Sequence, residues 1–187
     1  SVYRLVKESN GMINTRSLTS ATGLSGLLAS KITGTTVANT VTETTVLGTP
    51  FGTYTLPVNS LTVGKTISFK ASGYISTTGT PNITFRFKFG ATNIAVTPTF
   101  AAGAGLAQQL WEIDVTITCR SIGASGTVFS QGGYRRYPAT TGNATSVPMR
   151  SLTAVTVNTT TTQTANLTVQ WGTASALNTI TCTNASL

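Results

Sequence analysis

The chain has 187 residues, enough for one large all-β domain or a smaller domain with an arm, and its core needs no disulfide or metal staple to close. Threonine occurs 40 times, helix formers are scarce, and β-branched residues of this kind favour a pleated surface. Twelve Lys and Arg face four acids and no His, so the formal charge is +8 while only 9% of residues are charged, against about a quarter in an ordinary soluble domain. The lack of His removes Ser–His–Asp triads and His-based metal centres, and no apolar run is long enough to span a bilayer. A polar surface of hydroxyls and amides suits a protein that covers itself with neighbouring copies, so an assembly component is expected. No signal peptide is evident. Ser1 is small enough to follow a removed initiator Met, which fits a near-complete product, although a trimmed chain would begin in the same way.

Residues 1–44 are weakly periodic and punctuated by glycine, and they carry Arg4, Lys7, Arg16 and Lys31. They read as an extended N-terminal arm that anchors the rest, with at most a helical turn around Leu24, Leu27 and Leu28. From residue 45 to 187 strand signals recur every ten to fifteen residues. Candidate strands are 44–47, 52–56, 66–76, 82–89, 111–120, 126–137, 151–157, 165–171 and 178–183. Turn residues separate them, such as Pro57-Val58-Asn59, Thr78-Gly79, Gly103-Ala104-Gly105 and Thr141-Gly142-Asn143. Eight or nine strands with irregular loops predict an antiparallel, jelly-roll-like β-sandwich rather than an immunoglobulin sandwich, whose Cys–Trp–Cys spacing is missing.

The clearest strand is Ile83-Thr84-Phe85-Arg86-Phe87-Lys88-Phe89, whose period of two puts four large apolar side chains inward and Thr84, Arg86 and Lys88 outward. The same parity sends Trp111, Ile113, Val115, Ile117 and Cys119 inward, and likewise Leu167, Val169 and Trp171. Cys119 and Cys182 therefore read as small buried hydrophobes, with a disulfide between neighbouring strands as the alternative. The run Thr159–Thr162 reads as a polar hairpin tip or exposed edge.

Glu112 and Asp114 share an outward face about 7 Å apart, which would suit an inverting glycosidase. Their position opposite the apolar stripe instead predicts a solvated pair or ion pairs with a basic neighbour such as Arg86 or Lys88. In Tyr134-Arg135-Arg136-Tyr137 two guanidinium groups lie between aromatics that could stack on bases or sugars, with Tyr54, Tyr134 and Tyr137 as exposed candidates. The two arginines point to opposite faces, so only one can serve an outer surface; a subunit contact is preferred over ligand or nucleic acid. The arm is too sparsely basic for bulk phosphate neutralisation. Five Asn-X-Ser/Thr sequons, at Asn82, Asn143, Asn158, Asn166 and Asn184, barely exceed what the composition yields. No catalytic, cofactor or metal constellation is present, and a non-enzymatic protein is expected.

Residues 52–76 (Gly-Thr-Tyr-Thr-Leu-Pro-Val-Asn-Ser-Leu-Thr-Val-Gly-Lys through Gly-Tyr-Ile-Ser), Asn82–Gly90, the Trp-Glu-Ile-Asp-Val-Thr-Ile-Thr-Cys-Arg strand at 111–120 and Leu-Thr-Val-Gln-Trp at 167–171 resemble β-rich modules of phage and large DNA virus virion proteins. The resemblance spans about residues 44 to 183 and carries no catalytic residue across. It implies a jelly-roll-like head on a virion surface protein (tail fibre, capsid fibre or decoration protein), trimeric and docked to other virion proteins through its N-terminal arm. Contacts would come from Arg4, Lys7, Arg16, Arg86, Lys88, Tyr134, Arg135, Arg136 and Tyr137, with a host-surface glycan or receptor as a further partner and no membrane insertion. The alternatives are a shell-forming capsid jelly roll with its basic arm on nucleic acid, and a secreted carbohydrate-binding sandwich.

Overall fold

A computed structural model describes residues 34–48, 54–138 and 144–187, together with the backbone of two short strands, β1 (Tyr3–Lys7) and β2 (Ile13–Ser17). Among the described residues there is no helix. The remaining strands are β3 (Thr35–Ala38), β4 (Thr44–Thr45), β5 (Thr55–Leu56), β6 (Thr66–Ser76), β7 (Asn82–Phe89), β8 (Thr92–Val96), β9 (Phe100–Ala101), β10 (Gln109–Ser121), β11 (Thr127–Arg136), β12 (Thr145–Pro148), β13 (Val155–Thr156), β14 (Gln163–Trp171) and β15 (Thr179–Ser186).

They form two antiparallel sheets. The larger runs β12-β11-β10-β6-β15-β3 with β13 on β11, and the smaller runs β4-β14-β7-β8 with β5 and β9 at its margins. Taken in chain order, β3 pairs with β15, β4 with β14, β6 with β10 and β7 with β8. First with last, second with second-last and so inward is the nesting of a rolled hairpin, which makes this an antiparallel jelly roll. Strands β11, β12 and β13 are inserted between the sixth and seventh strands of the roll and widen the larger sheet beyond β10.

Alternation built the core as the side-chain period requires. Phe85, Phe87 and Phe89 of β7 are buried; Phe85 meets Trp111 and Tyr134 and Phe87 meets Phe69 from the larger sheet. The rings of Phe69 and Phe87 lie 4.4 Å apart and those of Phe85 and Trp111 5.8 Å apart, so aromatic contacts bridge the sheets. Trp171, Leu167 and Val169 are buried on β14. Cys119 and Cys182 are buried and not bridged by a disulfide, and their thiols donate to the Ser121 and Asn184 carbonyls, which decides the sequence alternatives in favour of small core residues.

Several expectations are corrected. The arm boundary at residue 44 is too late, because Thr35–Ala38 is the edge strand of the larger sheet and Val37 belongs to the core. Four residues with one buried position give too little periodicity to be recognised. The return strand β8 escapes recognition because its two buried residues, Ile94 and Ala95, are adjacent and break the alternation, although Gly90, with φ 57°, supplies the left-handed turn that reverses β7. Strand β12 ends in Pro148, which discourages a strand assignment; it lies at the sheet edge, where a missing N–H is tolerated. The expected strand at 151–157 shrinks to Val155–Thr156. Thr159 is not an exposed tip: it is buried, and its Oγ1 accepts a hydrogen bond from the Gly123 amide at 2.8 Å. The helical turn proposed at Leu24, Leu27 and Leu28 lies outside the described residues.

Candidate functional site

The long strands β6 and β10 lie side by side at the centre of the larger sheet, and their outward positions carry its polar chemistry. Register places Arg135, Glu112, Ser72 and Asn184 in one row across β11, β10, β6 and β15. The next row holds Gly133, Asp114, Lys70 and Ser186. Together they line an open depression of about 600 Å³. Its floor is low beside β11 because Gly132 and Gly133 carry no side chain. A Cβ on Gly132 would fall 2.0 Å from the Asp114 carbonyl oxygen, so this strand pairing admits only glycine there.

Opposite charges meet across the strands. Lys70 Nζ lies 3.3 Å from Asp114 Oδ2, and Arg135 Nη1 lies 3.6 Å from Glu112 Oε1. The Tyr137 hydroxyl donates to the same Glu112 oxygen at 2.5 Å. That bond, with partial desolvation and the Glu112 charge, raises the Tyr137 phenol above its ordinary value, and Arg135 offsets part of the effect. The Asp114 and Lys70 side chains are 57% and 65% exposed, so water screens their attraction and either partner can be exchanged cheaply. The third row carries Tyr74 opposite Leu110, 48% and 44% exposed, on the same face.

The outer face of the smaller sheet holds a different arrangement. Glu43 reaches from the segment before β4 to Lys88 Nζ at 2.9 Å and to Arg86 Nη1 at 3.5 Å, and it accepts from Thr168 Oγ1 at 2.7 Å. Arg86 Nη2 donates to Gln170 Oε1 at 2.9 Å. Arg86 Nη1 is buried without a hydrogen bond, so its link to Glu43 is electrostatic at a distance beyond good hydrogen-bond geometry. Burial alone would raise the Glu43 carboxyl, but the hydrogen bonds from Lys88 and Thr168 and the two cationic charges outweigh it and hold the pKa below the usual 4.5. A shallow cleft of about 230 Å³ runs beside Arg86, Thr84 and Gln170.

Several sequence-derived site residues are therefore relocated. Arg86 and Lys88 do not neighbour Glu112 and Asp114, because the outer faces of the two sheets look in opposite directions; the actual partners are Arg135 and Lys70. Tyr134 is no exposed platform. It is wholly buried, 5.1 Å from the Phe85 ring and 5.1 Å from the Phe100 ring, and burial pushes its phenol strongly upward. Tyr54 is half-buried against the core. Arg135 and Arg136 do point to opposite sides: Arg135 is exposed, whereas Arg136 donates to Gln109 and, at 2.8 Å, to Thr145 Oγ1. Arg4 and Arg16 are direct register partners in the β1–β2 pair, and Lys7 is opposite Ile13.

Sequence singles out neither Lys70 nor Tyr74, and it marks Asn184 only as a sequon. The alternation of β6 does assign Lys70 and Tyr74 to the outer face, but nothing local says that β10 and β15 flank it. Among the described residues no three His, Cys, Asp or Glu gather as a metal site. Comparison of the chain with protein-family models, with curated proteins and with solved structures returns no match.

Proposed function

We propose that this chain is a non-enzymatic structural protein of a virion, a jelly-roll head displayed on the particle surface as a trimer and held there through its N-terminal segment. The observation that carries the reading is a coincidence of position. The stretches that resemble virion modules, 52–76, 82–90, 111–120 and 167–171, take in β6, β7, most of β10 and the second half of β14, the long central strands of the roll, with 52–65 falling before β6. The low charge and hydroxyl-rich surface support burial against neighbouring copies. Fold alone would not support this role, since jelly rolls host many functions.

Light scattering after size exclusion tests the reading. A mass of about 58 kDa, three times the 19.4 kDa chain, is expected. Deletion of residues 1–33 should leave the head folded while abolishing association with particles. A strictly monomeric protein that never associates with particles would overturn it. The register pairing of Arg4 with Arg16 favours a second reading, a shell protein whose basic arm meets packaged nucleic acid. Nucleic acid would then copurify at low salt and be lost steeply as salt rises; its absence at low salt rejects that reading.

A further inference from the structure

We infer that the depression on the outer face of the larger sheet binds a neutral polyhydroxylated ligand, a glycan without sialic acid or sulfate. The inference rests on the surface-module reading only in requiring that this face stay open in the assembly. Its first support is charge balance. Lys70 and Arg135 are matched by Glu112 and Asp114, so the depression is formally neutral on a chain of net charge +8. Three of the chain's four acids lie among the described outer faces, and two of them are here. A phosphate or sulfate approaching the cations would meet both carboxylates at once, whereas a hydroxyl, which donates and accepts, can use either sign.

The second support is the kind of polar group and its spacing. Glu112, Asp114, Gln131, Arg135 and Asn184 end in planar, multi-atom groups, and Lys70 adds a mobile cation. Adjacent hydroxyls on a sugar ring present paired donors and acceptors that such groups engage two at a time. Strand pairing supplies the rows at regular intervals, so successive sugars could lie across β11, β10, β6 and β15. The ion pairs that now satisfy these groups are exposed, and water screens them, so a ligand replaces them at small cost.

The third support is the apolar component. Tyr74 stands outward two residues from Ser72, about 7 Å along the strand, and its ring is half exposed beside Leu110. A rigid aromatic surface next to a polar row suits the C–H face of a sugar whose hydroxyls point into that row. An apolar peptide or lipid would find little more than Tyr74 and Leu110, and the remaining surface would be left desolvated without partners.

The test uses the full chain on an array of immobilised mannose-, galactose- and glucose-terminated oligosaccharides, with sialylated and sulfated counterparts. Binding to a neutral subset is expected. In titrations with the best neutral oligosaccharide, Asp114→Asn and Tyr74→Ala should each weaken binding at least tenfold, with unchanged melting temperature and solution mass. Silence towards neutral glycans, binding only to the anionic set, or binding unaffected by both variants would overturn the inference. So would a change in solution mass on substitution, which would make this face a contact between copies. Silence on the array with trimer and particle association intact removes the glycan site alone. Neutral-glycan binding by a monomer that ignores particles removes the virion reading and leaves the site.

Discussion

Replacing Phe87 by alanine probes the sheet-to-sheet packing directly. The side chain is wholly buried at the middle of β7, with Phe69 of the opposite sheet 4.4 Å away and Phe89 5.6 Å away on its own strand. Truncation forfeits a transfer term of about 2 kcal/mol and leaves a void of roughly 100 Å³, which at ~24 cal/mol per Å³ adds about 2.4 kcal/mol if the neighbours do not collapse. The sum falls within the range of about 3–5 kcal/mol usual for a buried Phe→Ala change. For a chain of this length that corresponds to a fall in melting temperature of roughly 6–20 °C. Urea denaturation followed by intrinsic fluorescence would measure it, with Ser68→Ala as the control. Ser68 is exposed on β6, next to the buried Phe69, and its substitution should stay within about 0.5 kcal/mol. A Phe87→Ala loss below about 1 kcal/mol, or one equal to the control, would refute the assignment of this face to the core.

The Glu43 network predicts a pH dependence. Because the folded carboxyl titrates below its unfolded value, its stabilisation is whole above about pH 4.5 and is lost as pH falls through the folded pKa. Stability of the wild type should therefore decline more steeply on acidification below that pH than stability of Glu43→Gln; superimposable profiles would show that Lys88 and Arg86 do not bias this carboxyl. Gly73→Ala tests the pairing of β6 with β15, since the added Cβ would lie 1.9 Å from the Thr181 carbonyl oxygen. This backbone clash should cost more than about 3 kcal/mol or prevent folding, while Ser72→Ala, one residue away, should be mild. A Gly73→Ala protein that melts like wild type would show that β6 and β15 do not approach as described.

Local chemistry wrote much of this fold into the chain. Strand β7 is legible to the residue because seven successive side chains alternate without a break, and β6, β10 and β14 follow for the same reason. Period-two alternation depends only on the pleat of one strand, so it survives without knowledge of neighbours. It assigned Phe85, Phe87, Trp111, Trp171 and both cysteines to the interior. The failures lie where the pattern is too short or is interrupted. Thr35–Ala38 has a single buried side chain, and Gly132-Gly133 interrupts the apolar pattern of β11, although the parity that buries Val128 and Ser130 runs on to Tyr134.

The partners of the charged residues belong to tertiary structure alone. Glu112 and Asp114 were correctly placed outward, yet their cations, Arg135 and Lys70, come from other strands, and the roll decides which strands become neighbours. Arg86 and Lys88 are just as basic and lie nearer in sequence to Glu112 than Glu43 lies to them. They serve Glu43 because pairing of β4 with β14 carries that acid across the smaller sheet. Side-chain parity is a property of each strand; which parity-matched surfaces share a row is set by long-range backbone hydrogen bonds, whose register is read only once the sheets have closed.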